Sequence, residues 1–222
     1  MTIPGDILLP TAYFPPVSWF TYMISSQAVF IEMEETFPKQ TYRNRCEINT
    51  SSGKANLIVP VTRPQGNHTL TRNIEISYRE FWQEQHWKTL QSAYSSSPFY
   101  SYYADIIKPI FESDEILLAK HNYNIINTIC GLIGMNPSME FTKDYIKENH
   151  DMSDLRTNFS PKSNTPFKEF PRYPQVFEHK HGFMPNLSIL DLLFNLGPET
   201  GRYLQSPVAT TGACEYTCSS PG

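Results

Sequence analysis

The segment Lys39-Gln40-Thr41-Tyr42-Arg43-Asn44-Arg45-Cys46 concentrates polar chemistry in a short span. Read as a strand, it alternates faces, with Arg43 and Arg45 on one side and Tyr42, Asn44 and Cys46 on the other. Two guanidiniums on one face, with Lys39 close in sequence, present fork-shaped donors suited to phosphate or carboxylate. The acids Glu32, Glu34, Glu35 and Glu47 are the competing partners, and would make the same face one of paired arginines and glutamates. The sequence leaves both open. His86, four residues after Trp82 and next to Trp87 on a helical pattern, is the histidine best suited to general-base work. A half-buried histidine packed on aromatics fits the same pattern, because no spacing fixes a second catalytic residue.

Other titratable groups carry less. His179 and His181 bracket Lys180 and lack an identifiable third ligand, so no metal site is expected. Asp191 stands three residues after Ser188, which is the spacing of a capping box. The phosphate-cradling loop of ATPases, the dinucleotide-binding glycine fingerprint, the serine elbow of esterases and the paired-histidine zinc helix are all missing from the sequence. No cofactor is expected. Cys46 and Cys130 read as buried thiols, while Cys214 and Cys218 match neither a redox nor a zinc spacing.

The elements that must position these groups follow from apolar patterning. Ile7 to Tyr13 reads as a strand, Val17 to Ser26 as a helix after Pro15-Pro16, and Ala28 to Met33 as a second strand, which together form a parallel crossover. The loop after the first strand, with Tyr13 and Phe14, then lies at the carboxyl edge of the sheet, where open α/β sheets place ligands. Tyr42 to Ile48 and Asn56 to Val61 form a hairpin with a longer loop through Asn49-Thr50-Ser51-Ser52-Gly53-Lys54, and Ile74 to Ser77 a further strand. Helices are expected from Phe81 to Ser96, Phe99 to Phe111 and Glu115 to Ile133, the second kinked or ended by Pro109. A short strand over Glu140 to Ile146 precedes a polar run, Asn149 to Pro174, whose basic residues suit a lid over an anionic ligand. Ser188 caps a helix that Gly197 ends. The expectation is one α/β domain over residues 1–204, with a mixed sheet of about five strands and helices mostly in the second half. A flexible tail follows over residues 205–222.

Composition narrows the class. The net charge of −4 speaks against a nucleic-acid binder. No apolar run reaches the ~18–20 residues of a membrane span. No basic-then-apolar leader opens the chain, so a cytoplasmic location is expected. Oligomeric state is not legible.

The stretches LLPTAYFPPVSWF, PKQTYRNRCEI, NLIVPV, HWKTLQSAYSSSPFYSYY, DLR with the following PK, and HGFMPNLSILDLLFNLGPE resemble the WbqC-like proteins of bacterial polysaccharide gene clusters. They span Ile7 to Leu204. The opening departs from the family's more usual Gln-Pro start, since Pro10 is followed by Thr11 and Ala12. The resemblance implies a part in O-antigen or related surface-polysaccharide production, with glycyl or aminoacyl transfer to a sugar as the expected reaction. A non-catalytic nucleotide-sugar- or carbohydrate-binding accessory is the alternative. On the transferase expectation the partner is an anionic small molecule, a nucleotide-sugar or activated acyl donor. Lys39, Arg43 and Arg45 would hold its phosphates, and Tyr13 and Tyr42 would stack on the sugar or base. His86 would accept the proton of the attacking amine, and Asn44 would orient the acyl carbonyl.

Overall fold

Strand, helix, strand opens the chain: β1 (Asp6–Pro10), α1 (Val17–Ser25) and β2 (Val29–Glu32). β1 and β2 run parallel with Ile7 opposite Val29 and Leu9 opposite Ile31, so the expected crossover forms. Uninterrupted apolar runs suit these strands because both sheet faces are covered. Pro15 and Pro16 hold the chain extended before α1, and the Trp19 indole N–H donates to the Pro10 carbonyl (3.1 Å), tying the helix back to the strand it left.

The computed structural model describes residues 5–147, 152–162 and 170–206. The expected tail therefore lies almost wholly outside the described residues, as do Cys214 and Cys218. After β2 come the hairpin β3 (Arg45–Thr50) and β4 (Gly53–Ile58), then the short pair β5 (Val61–Thr62) and β6 (Glu75–Ile76). Helices α2 (Trp82–Tyr94), α3 (Tyr100–Ile107) and α4 (Leu118–Leu132) follow. Pro109 does not kink α3 but falls just beyond it, in a 3₁₀ turn over Lys108–Glu112. The described chain ends with β7 (Met139–Phe141), β8 (Met152–Asp154), α5 (Glu178–His181), α6 (Ile189–Leu196) and α7 (Thr200–Gln205).

The architecture is mixed α/β in one domain, with helices mostly in the later half. Its main sheet has four parallel strands in the order β7-β2-β1-β8, and two small antiparallel pairs stand beside it. The chain moves outward from β1 through β2 to β7, then returns to the other side of β1 as β8. Strand direction of travel thus reverses between β1 and β8, the kind of place where such sheets bind ligands. Among the described residues no helix is long and apolar enough to cross a membrane.

Three expectations change. Lys39 to Asn44 is turn rather than strand, because the ladder with β4 begins only at Arg45 opposite Ile58 and Gln40 takes a positive φ of 59°. The hairpin closes tightly through Ser51-Ser52, with Thr50 opposite Gly53. Within the polar run after residue 149, Met152 to Asp154 joins the main sheet beside β1, and Arg172 pairs with Glu178. That run is described only in part.

Candidate functional site

The turn before β3 is stitched to the first strand's exit. Tyr13 N–H donates to the Tyr42 carbonyl (2.9 Å), and Asn122 Nδ2 reaches both the Arg43 carbonyl (2.8 Å) and Thr11 Oγ1 (3.1 Å). Asn44 is spent on the chain itself: its carbonyl accepts from Val59 N–H and its Nδ2 donates to the Val59 carbonyl (2.9 Å). Arg43 is 2% exposed and gives Nε and Nη2 to one Glu35 oxygen, with a further bond from Nη2 to the Arg156 carbonyl (3.2 Å). Burial pushes the Glu35 carboxyl up and the Arg43 guanidinium down, each against the pull of the other. Of the two alternatives open for Arg43, the acidic partner is the one present.

The neighbouring charges close on each other as well. Glu32, fully buried, accepts from Arg156 Nη1 (2.9 Å), Thr142 Oγ1 (2.9 Å) and the Glu34 N–H (2.8 Å), while Arg156 also forks onto Asp154. The Tyr42 hydroxyl donates to Glu47 (2.9 Å). Lys39 is exposed and Arg45 half-buried, and among the described residues neither forms an ion pair. The segment's cations are thus split, Arg43 held by Glu35 and Lys39 and Arg45 without an ion pair among the described residues. Without strand alternation its side chains diverge, Arg43 toward Glu35 and Tyr42 toward Glu47.

His86 sits behind this seam in a nest of rings. Its Nδ1 lies 3.0 Å from the Tyr13 hydroxyl, a hydrogen bond whose direction the ring's tautomer sets. Burial lowers the His86 pKa to about 4, so the ring is neutral at physiological pH. His121 stacks on Tyr13 with ring centroids 6.1 Å apart, and burial lowers it to about 4 as well. Trp82 stands perpendicular to His121 at 6.1 Å. His121 Nε2 and Trp82 Nε1 are buried without a hydrogen-bond partner among the described residues.

An open cleft lies on the far side of these rings. The cleft, of about 460 Å³, runs between α2 and the 3₁₀ turn that follows α3. Its walls are the rings of Tyr78, Phe81, Trp87 and Phe111; its rim carries Glu80, Gln83, Glu84, Glu112 and Lys108. Phe111 is 5.8 Å from Trp87 and 6.5 Å from His86, and Tyr78 is 6.1 Å from Trp82, so two cleft walls back directly onto the buried nest. Tyr78 is fixed by its hydroxyl donating to the Glu115 carbonyl (2.7 Å), and Gln83 by donating to the Ser113 carbonyl (2.6 Å). Phe81 is 82% exposed at the start of α2, an unusual position for so large an apolar ring. Sequence patterning alone hides the cleft because Trp82 and Trp87 read as the frame of His86. The signal was Trp87 on the same helix face as Gln83 and Glu84, an aromatic on a polar stripe.

His181 faces the Ser51 carbonyl (3.2 Å), and among the described residues no cluster of His, Cys, Asp or Glu is arranged to hold a metal. Asp191 does not close a capping box. Ser188 caps α6 through the Leu190 N–H (3.3 Å), but the Asp191 carboxylate turns inward to accept from Tyr94, Tyr173 and Gln175. Cys46 and Cys130 are buried free thiols, as expected.

Comparison with known proteins adds a family. The model of the WbqC-like protein family matches residues 11–164 and 162–203. The uncharacterized protein Rv1507c of Mycobacterium tuberculosis (strain ATCC 25618 / H37Rv) is 26% identical over 223 residues, covering 89% of this chain and 96% of that protein. No solved structure matches the chain significantly.

Proposed function

The chain belongs to the WbqC-like protein family, and from that premise we propose that it binds the sugar portion of a surface-polysaccharide precursor in the cleft beside α2. The observation that supports this most is the cleft wall of four aromatic rings with carboxylates and an amide at its rim. Aromatic faces pack on the apolar C–H faces of a sugar ring, and rim oxygens accept from its hydroxyls. A volume of about 460 Å³ is of ligand-pocket size. Calorimetric titration with a panel of free hexoses and N-acetylated hexosamines tests it. Trp87→Ala is expected to weaken binding by about tenfold, the loss of one good stacking contact, with the fold intact. Equal affinity in that variant would remove the cleft from consideration.

A second reading, glycyl or aminoacyl transfer to the sugar, draws on Lys39 and Arg45, which form no ion pair among the described residues. There they hold the phosphates of a nucleotide-sugar or activated acyl donor, and His86, already neutral, takes the amine proton once Tyr13 is displaced; Asn44 turns to the acyl carbonyl only by giving up its bond to the Val59 carbonyl. This reading sets the work in the cytoplasm, where activated donors are made. His86→Ala then abolishes turnover while sparing most affinity, whereas a binding protein has no turnover to lose.

A further inference from the structure

We infer that the cleft is selective for a positively charged group, a small ligand bearing an ammonium, and discriminates against phosphorylated ones. The inference rests on the sugar reading for the site's location, and adds the charge of its occupant.

Four aromatic residues line one space, two of them, Phe81 and Tyr78, exposed to it at 82% and 39%, and an aromatic face carries negative charge density that attracts a cation. The rim reinforces it. Glu80, Glu84 and Glu112 stand against Lys108 alone, a balance of −3 and +1 within the lining. Glu84 pairs with Lys88 (2.6 Å) and Glu112 with Lys108 (3.4 Å), both exposed pairs that a ligand can displace at little cost. Glu80 forms no ion pair among the described residues, which leaves a carboxylate beside Phe81. Asp114 adds a carboxylate near the Tyr78 hydroxyl, and Glu115, paired with Lys120 (2.9 Å), a compensated one, both pushing that hydroxyl up after burial has done so. A phosphate entering here meets carboxylates first. An ammonium meets π faces and carboxylates together.

The test uses three probes on the full chain near pH 6, where an aliphatic amine is protonated: tetramethylammonium, glucosamine and glucose. Tetramethylammonium and glucosamine are expected to bind, glucosamine at least about fivefold tighter than glucose. The double variant Glu80→Gln with Glu84→Gln is expected to lose about five- to tenfold for the two cations, with glucose unchanged. Both positions lie on the rim, so the same thermal midpoint in wild type and variant confirms the comparison. Glucose binding as tightly as glucosamine overturns the inference and leaves the sugar reading standing. Tetramethylammonium binding that the glutamine variant weakens, with neither sugar bound, upholds the charge selection and removes the sugar. Cation affinity that ignores the double substitution, or no cation binding at all, overturns it.

Discussion

Arg43→Met removes the cation of a buried pair, and the structure sets the size of the effect. Arg43 is 2% exposed and Glu35 14%. Breaking a buried pair from one side costs about 3–5 kcal/mol because the other charge stays behind. The residual exposure of Glu35 places this case at the low end, about 3 kcal/mol. For a chain of 222 residues that lowers the thermal midpoint by about 6–12 °C. The stranded carboxyl also changes the pH response. Burial already holds Glu35 above its ordinary range, and losing the guanidinium raises it further. A carboxyl whose folded pKa lies above its unfolded one is stabilising below the unfolded value, and that stability is lost as pH rises through the folded one. The variant should therefore recover on acidification through the weakly acidic range relative to wild type. Adding Glu35→Gln should restore more than half of the loss at neutral pH. Urea denaturation across pH, with calorimetric titration of inorganic phosphate alongside, is the assay. Stability within about 0.5 kcal/mol of wild type, coupled with lost phosphate binding, would refute the pairing and return Arg43 to a ligand-facing role.

The two buried histidines give a second expectation. Both His86 and His121 are lowered to about 4, so their neutral forms stabilise the fold above the unfolded value near 6.5, and this is lost as pH falls toward about 4. His121→Phe should flatten that decline by about half; an unchanged slope means His121 does not stay neutral in the native state. Gly197 ends α6 with φ 55°, where a Cβ would lie 2.5 Å from the Phe99 ring. Gly197→Ala should cost about 1–3 kcal/mol by denaturant titration, and an unaltered midpoint would show that Phe99 yields.

The legible parts were those governed by local rules. β1, α1 and β2 announce themselves because central parallel strands are apolar throughout and Pro15-Pro16 punctuates between strand and helix. Ser188 and Gly197 mark α6 for the same local reasons. What escaped was decided by distant partners. The Asp191 spacing is that of a capping acid, yet Tyr94, Tyr173 and Gln175 reach it from 97, 18 and 16 residues away and hold it inward. Arg43 and Arg45 alternate on paper, but Gln40 turns the backbone and Glu35 captures the first guanidinium before the ladder starts. β8 is three residues, Met-Ser-Asp, inside a polar run, too short for any period to show.

The location of the cleft follows from how the sheet treats its own carboxyl edge. In an open α/β sheet the crevice where strand travel reverses is the natural ligand site. Here it is occupied by the protein's own charges: Arg156, leaving β8, grips Glu32 at the end of β2, and Arg43 fills the adjoining space with Glu35. These pairs bind the three-residue β8 and the turn before β3 to the sheet, which short backbone ladders alone hold weakly. A phosphate seeking Arg43 or Arg156 would have to break a buried ion pair, at the cost reckoned above for Arg43. The ring nest of Tyr13, His86, Trp82 and His121 then carries the fold's interior from that sealed edge to α2, where two of its neighbours, Tyr78 and Phe111, become walls of an open space. Function assigned to Arg43 has to break a buried ion pair; function assigned to the aromatic cleft displaces at most the exposed pairs Glu84–Lys88 and Glu112–Lys108.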